Sequence, residues 1–249
     1  MDATGKYSSP NILPFRTLNW EGRIIRENGS SALINLYPKE KSKKTVSMMV
    51  EFDVNGNIRG TIRTLKTAYR AMGYRESYIE TNKEQFLDDL ENDYNGMLVS
   101  NFEVKNDLDL SKPIMETYNF VLESQADVIG DEMYISPLFF LSTMENPFKL
   151  EKRDFPVDFG YPYLDKFMVN INIPQEYLVE SMPKPKMIKL PDNLGTFKYE
   201  IAENNAKIQL VVESEINEAV ISASYYEALK EYFKQMIEKE NEKIVLKKI

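Results

Sequence analysis

Apolar and polar residues alternate with a period of two between Phe197 and Val212. Phe197, Tyr199 and Ile201 are followed by Ile208, Leu210 and Val212, with Glu203-Asn204-Asn205 between the two runs. That period belongs to a strand with one buried and one wet face, and the polar trio is turn chemistry. The stretch reads as a β-hairpin. Its six large side chains, at ~1.5–3 kcal/mol each when fully buried, contribute on the order of 10 kcal/mol before conformational entropy is subtracted. A second hairpin follows from T-V-S-M-M-V-E-F at 45–52 and N-I-R-G-T-I-R-T at 57–64. Between them lies Asn55-Gly56, which tolerates the positive φ values of a type I′ turn. Further strands are expected at 23–26, 97–105, 116–123, 132–136, 166–173, 187–190 and 243–248, with a turn at Gly130-Asp131.

Helices are fewer. Residues 82–92 place Phe86, Leu87 and Leu90 on one face, with Thr81 as N-cap and Glu84 three residues on. Residues 224–240 carry Tyr225, Leu229, Tyr232, Phe233, Met236 and Ile237 as one stripe. Ser224 and Glu227 there form a capping box, and removing the serine would cost ~1 kcal/mol. A stripe at helical spacing reads as core packing, not as a ligand platform. Residues 68–78 are also helix-capable. Strands in runs with few helices imply antiparallel sheets. The expected fold is mainly β with minor α, β-sandwich-like, with a long amphipathic helix near the C-terminus. Prolines cluster from Pro137 to Pro191, and the stretch 146–162 divides the chain into a β-rich part at 21–150 and a C-terminal part at 151–249.

The 249 residues include no Cys and no His. Disulfides, Cys or His metal sites and Cys–His or Ser–His–Asp catalysis are therefore excluded within them. No metal or cofactor site is expected. With 31 Lys+Arg against 39 Asp+Glu the net charge is -8, which argues against a nucleic-acid partner. The basic run Lys39, Lys41, Lys43 and Lys44 reads as a solvated loop. No stretch is long and apolar enough to insert in a membrane, and residues 1–6 lack the apolar region of a signal peptide. Glycine-rich phosphate loops are missing too.

What chemistry remains is diffuse. Asp88 and Asp89, adjacent on a helix, point about 100° apart and do not face each other. Asp53, Asn55 and Asn57 alternate as in a calcium loop, but the glycine is misplaced and position twelve is Thr64. Asp107 and Asp109 are of a type to hold a hard cation, although solvated loop acids are the commoner case. Ser8-Ser9 and Ser30-Ser31 have no visible base. Trp20, the single tryptophan, either stacks on a ligand or packs against a neighbouring domain.

The first nineteen residues, with Asp2-Ala-Thr-Gly-Lys and Pro10-Asn-Ile-Leu-Pro14, resemble the exit from a transglutaminase-like core. Later come Arg153-Asp-Phe-Pro-Val-Asp-Phe-Gly-Tyr-Pro162, Ile173-Pro-Gln-Glu-Tyr-Leu-Val-Glu-Ser-Met-Pro183, Gly195-Thr-Phe197 and Lys243-Ile-Val-Leu-Lys-Lys248. These resemble the domain of unknown function that follows such cores in exported envelope proteins of Gram-negative bacteria. The resemblance implies that residues 1–20 are a remnant of that core and the rest a non-catalytic accessory region packing on it. It also implies that Asp2 matches the acid of the Cys–His–Asp triad, here without its Cys and His. The implied setting is periplasmic or the cell envelope, with an envelope protein or a glycan as further partner. An autonomous glycan- or protein-binding β-sandwich is the alternative.

Overall fold

A computed structural model describes residues 5–53, 55–94 and 96–249. The chain begins with β1 (Glu21–Ile25) and β2 (Ser31–Asn35), then β3 (Ser42–Phe52) and β4 (Ile58–Lys66). Two helices follow, α1 (Ala68–Glu80) and α2 (Lys83–Asp93). Next come β5 (Leu98–Lys105), β6 (Ile114–Leu122), β7 (Ala126–Ile129) and β8 (Glu132–Ile135). Beyond residue 150 lie β9 (Val157–Asp158), β10 (Tyr163–Asn172), β11 (Tyr177–Ser181), β12 (Lys186–Lys189) and β13 (Gly195–Asn204). The chain ends with β14 (Lys207–Ile216), β15 (Val220–Ile221), α3 (Tyr226–Glu240) and β16 (Ile244–Lys248).

Eight strands make the main sheet in the order β12-β13-β14-β10-β3-β4-β6-β5, and four make a second in the order β11-β16-β8-β7. Strands β1 and β2 pair only with each other, as do β9 and β15. The chain is thus mainly β with minor α, as its patterning implies. One pairing departs from the antiparallel expectation: β10 runs parallel to β3, from Tyr163 opposite Ser42 to Asn172 opposite Glu51. The whole chain between these strands serves as their crossover, so no hairpin constrains their direction. The main sheet takes strands from both sides of residue 150.

One face of this sheet is buried. Val46, Met48 and Val50 of β3, Ile62 of β4, Phe120 of β6, Ile171 of β10 and Leu210 of β14 lie in one apolar cluster. The same cluster contains Met133 and Ile135 of β8, Ile244 and Leu246 of β16, and Leu229, Tyr232 and Met236 of α3. The second sheet and α3 therefore cover the inner face, giving two layers around one core. The outward residues of the main sheet are half to fully exposed. They are Thr, Ser, Asn, Met, Lys, Glu and similar types, with no aromatic ring among the described residues.

The β13–β14 hairpin forms in the expected register, with Tyr199 opposite Val212 and Ile201 opposite Leu210. Its turn is Asn205-Ala206, with φ of 50° and 57°. Both values are positive, which matches the twist of the flanking strands. The β3–β4 hairpin differs from the expected two-residue turn. Phe52 faces Ile58 across a longer loop, in which Gly56 takes a φ of 81° while Asn55 does not turn left-handed. The Asp53 carboxylate organises this loop. It accepts from the backbone N–H of Asn55 at 2.8 Å and of Asn57 at 3.0 Å, and from the Asn57 side chain at 2.8 Å. The alternating polar residues that resemble a calcium loop are spent on these bonds.

Two caps also shift. Asn82, not Thr81, caps α2, its side chain accepting from the Gln85 N–H at 2.8 Å. Ser222, not Ser224, accepts from a backbone N–H at 3.3 Å, and opens a 3-10 turn (Ala223–Tyr225) that leads into α3. The stripe itself is as expected: Tyr226, Leu229, Tyr232, Phe233 and Met236 are buried. At the edges of the main sheet, β12 is a four-residue strand with Lys186 and Lys189. The other edge, β5, carries a bulge between Ser100 and Glu103, with Asn101 at a φ of 54°.

Leu229 has 0% exposure while Leu33 of β2 has 60%. Leu229→Ala should lower stability by about 2–5 kcal/mol, and Leu33→Ala should change it by less than about 0.5 kcal/mol. Urea unfolding of the two variants checks the difference.

Candidate functional site

The inner sheet face changes character at its α1 end. Across β10, β3 and β4 the directly opposed residues are Asp165, Lys44 and Lys66. One row on, Glu116 of β6 lies opposite Thr64. An apolar face thus ends in a charged row, because the period of two that points Val46 and Met48 inward points Lys44 inward as well. The basic run read as a solvated loop is corrected here. Lys43 is exposed, but Lys44 belongs to β3 and is partly buried. Helix α1 closes over this end. Its start is pinned to β3 by the Tyr69 N–H donating to Ser42 Oγ at 3.1 Å and the Lys43 N–H donating to Thr67 Oγ1 at 3.1 Å.

From α1, Arg70 pairs with Asp165 at 2.6 Å, and Lys66 Nζ lies 3.4 Å from Glu116. The Lys66 ammonium also sits 3.8 Å from the centroid of the Tyr74 ring, and the Arg70 guanidinium is 5.9 Å from Tyr161 and 5.0 Å from Tyr163. Burial disfavours charge in this row. It pushes Lys66 down to about 8, against the pull of Glu116 and with a further push from Lys44. Lys44 is lowered by burial as well, and the Asp165 carboxyl is raised by burial against the opposing effect of Arg70 and Lys44. The phenols of Tyr74, Tyr118 and Tyr163 are all raised, first by burial and then by neighbouring carboxylates.

A different flank of α1 lines a cleft of about 610 Å³, bounded by Tyr7, Ser8, Lys41, Ala68, Met72 and Lys112 among others. Arg75 shapes its rim. The side chain is buried and donates to four backbone carbonyls, those of Asp107, Asn106, Asp109 and Lys112, at 2.8–3.0 Å. These carbonyls thus turn toward a guanidinium. The Asp109 carboxylate accepts from the Ser111 N–H and hydroxyl and pairs with Lys112, which hold it down to about 2. The Asp107–Asp109 loop is therefore a collar around Arg75, with no cation cage built from it. Among the described residues no group of three or more acids could hold a metal ion.

Other residues singled out from sequence scatter. Asp2 lies outside the described residues. Asp89 accepts from Gln85 on the exposed side of α2. Ser8 is buried in the cleft wall, with its hydroxyl unpartnered, while Ser30 bonds locally to Asn28. Trp20 is 71% exposed at the foot of the β1–β2 hairpin. Sequence reasoning missed Lys44, Lys66, Arg70, Glu116 and Asp165 as a group, since they come from four strands and a helix. The visible signal was Lys44 standing in phase with Val46, Met48 and Val50.

Residues 131–246, a little under half of the chain, match the model of a Domain of Unknown Function with a solved structure, DUF3858. No curated protein matches the chain. Among solved structures, a crystal structure of a candidate protease from Parabacteroides distasonis aligns with 90% of this chain at 9% identity and a TM-score of 0.40. This chain spans 30% of that one. With neither Cys nor His among its 249 residues, the chain cannot assemble cysteine-dependent protease or transglutaminase chemistry by itself.

The lysines make stability depend on pH. Below about pH 8 Lys66 is protonated in both states. Between that value and the ordinary 10.5 the unfolded chain holds a proton that the folded chain lacks. Stability therefore rises with pH in this window, by up to ~1.4 kcal/mol per unit for each such proton. Lys44 acts in the same sense. Above pH 10 the raised phenols oppose it, because the unfolded chain then loses protons first. Urea unfolding from pH 7 to 10 should show a climb from pH 8 that Lys66→Met reduces. An identical slope in the variant would show that Lys66 titrates normally.

Proposed function

We propose that this chain is a non-catalytic, β-rich accessory region that packs through its β1–β2 hairpin against a transglutaminase-like core. The observation that carries this reading is the hairpin's surface. Gly22, Ile24, Ala32 and Ile34 share one face, and Arg23, Ile25 and Leu33 the other. Exposure is 40% at Ile24, 75% at Ile25, 60% at Leu33 and 41% at Ile34, with Trp20 at 71% and Tyr37 at 43% beside them. An isolated two-stranded hairpin is marginal in water, and exposed apolar groups gathered on one element mark an interaction surface. The exposed rings of Trp20, Tyr37 and Phe155 do not lie along one sheet face, which favours a docking arm over a glycan platform.

The sequence resemblance supplies the identity of the core, and the DUF3858 match accords with a tail region of that kind. By the same resemblance the setting is the periplasm or cell envelope. The physical role is to bury the hairpin and complete one wall of the core's cleft. Amide chemistry would remain with the core, which would bring the cysteine and histidine.

Mixed with a transglutaminase-like core encoded in the same gene, the chain should form a one-to-one complex in sedimentation. Ile25→Lys with Leu33→Lys should weaken that complex at least tenfold while leaving the melting temperature unchanged. Binding untouched by the double substitution, or no binding to a folded core, overturns the docking role. The chain alone should hydrolyse or transfer no peptide amide. Turnover that vanishes when one of its own residues is replaced would overturn the non-catalytic reading.

A further inference from the structure

The charged row at the α1 end of the inner sheet face is out of balance. Directly opposed residues on neighbouring strands hold their Cβ atoms about 4.5–5.5 Å apart, where like charges repel. Lys44 and Lys66 are such a pair. Arg70 adds a third cation, against the two carboxylates of Glu116 and Asp165. Glu116 takes Lys66 and Asp165 takes Arg70. Lys44 has no hydrogen bond or ion pair among the described residues, and its one close contact is the Phe167 ring, 5.6 Å from its ammonium. Arg70 also keeps an idle donor, since its Nε is buried with no acceptor.

These two donors are placed to serve one guest. Arg70 bridges to β10 through Asp165, and Asp165 is the cross-strand neighbour of Lys44. Tyr161 and Tyr163 hold the guanidinium in place. The Arg70 side chain is 30% exposed and Lys44 partly so, which leaves the row open on that side. Asp165 Oδ1 and the Tyr74 hydroxyl are buried without partners in the same cluster. Unmatched polar atoms at this density are costly unless water or a ligand satisfies them.

We propose that Lys44 Nζ and Arg70 Nε hold a small monovalent carboxylate at this end of the sheet. One negative charge cancels the excess cation, and two oxygens accept one hydrogen bond from each donor. A hydroxyl on such a guest, or a water beside it, would serve Asp165 Oδ1. A dianion such as phosphate overshoots the charge and meets the carboxylates of Glu116 and Asp165 nearby. This inference does not depend on the docking role of the hairpin.

Thermal unfolding of the full chain at pH 7 in sodium acetate, sodium phosphate and sodium chloride of equal ionic strength tests it. Acetate should raise the melting temperature by about 2 °C or more over chloride, and phosphate should not. Lys44→Gln should abolish the difference, and Lys112→Gln, at an exposed position on the β5–β6 connection, should keep it. Arg70→Lys retains a cation for Asp165 but has no Nε, so it should weaken the acetate effect, and it carries the test should Lys44→Gln not fold. Equal melting in acetate and chloride, or an acetate effect that survives both substitutions, overturns the site. A phosphate effect larger than that of acetate overturns the carboxylate assignment.

Discussion

The parallel ladder between β3 and β10 is the pairing on which the molecule depends. On one side of it β12, β13, β14 and β10 are joined antiparallel, and on the other β3, β4, β6 and β5. Neither group alone presents an inner face broad enough for both α3 and the second sheet to cover. Joined, they bury Val50, Ile171 and Leu210 with Met133 and Leu246 in one cluster. The stretches on either side of residue 150 share that core. Burial of this common apolar surface is the main favourable term available to a chain without disulfides.

Much of the local structure was legible because it is set by local chemistry. Alternation at Phe197, Tyr199 and Ile201 specified β13, and the stripe from Leu229 to Met236 specified the buried face of α3. Errors of detail came from competing local partners. Ser222 and Asn82 outcompeted Ser224 and Thr81 as caps because the chain turns into each helix earlier or later than the motif suggests. Asp53 replaced a two-residue turn with a longer, side-chain-stapled loop. The parallel β3–β10 pairing was not legible, since no local signal links residues 42–51 with 163–172. Strands β2, β7 and β11 were missed as well. Their neighbours, not their own alternation, decide their pairing.

The charged row was hidden for a related reason. Lys44 looks like the end of a basic loop when the strand is taken to begin at 45. Starting β3 at Ser42 places the same lysine on the inner face, next to Asp165 and Lys66, which arrive from elsewhere in the sequence. Two surfaces now stand apart in character. The β1–β2 hairpin is apolar and unsupported, whereas the α1 end of the sheet is polar, crowded and partly enclosed. The segment resembling DUF3858 supplies Asp165, Tyr161 and Tyr163 to the latter, and the part before it supplies Lys44, Lys66, Arg70 and Glu116.

The two rims of the main sheet bear on how crowded solutions treat this protein. A bare strand rim templates the addition of foreign chains and, in time, fibrils. The bulge at Asn101 and the brief, lysine-bearing β12 deny an incoming strand a flat run of donors and acceptors. Growth by ladder extension is therefore discouraged at both ends of the broadest sheet, so a hydrophobic protein surface and a self-limiting assembly can coexist in one chain.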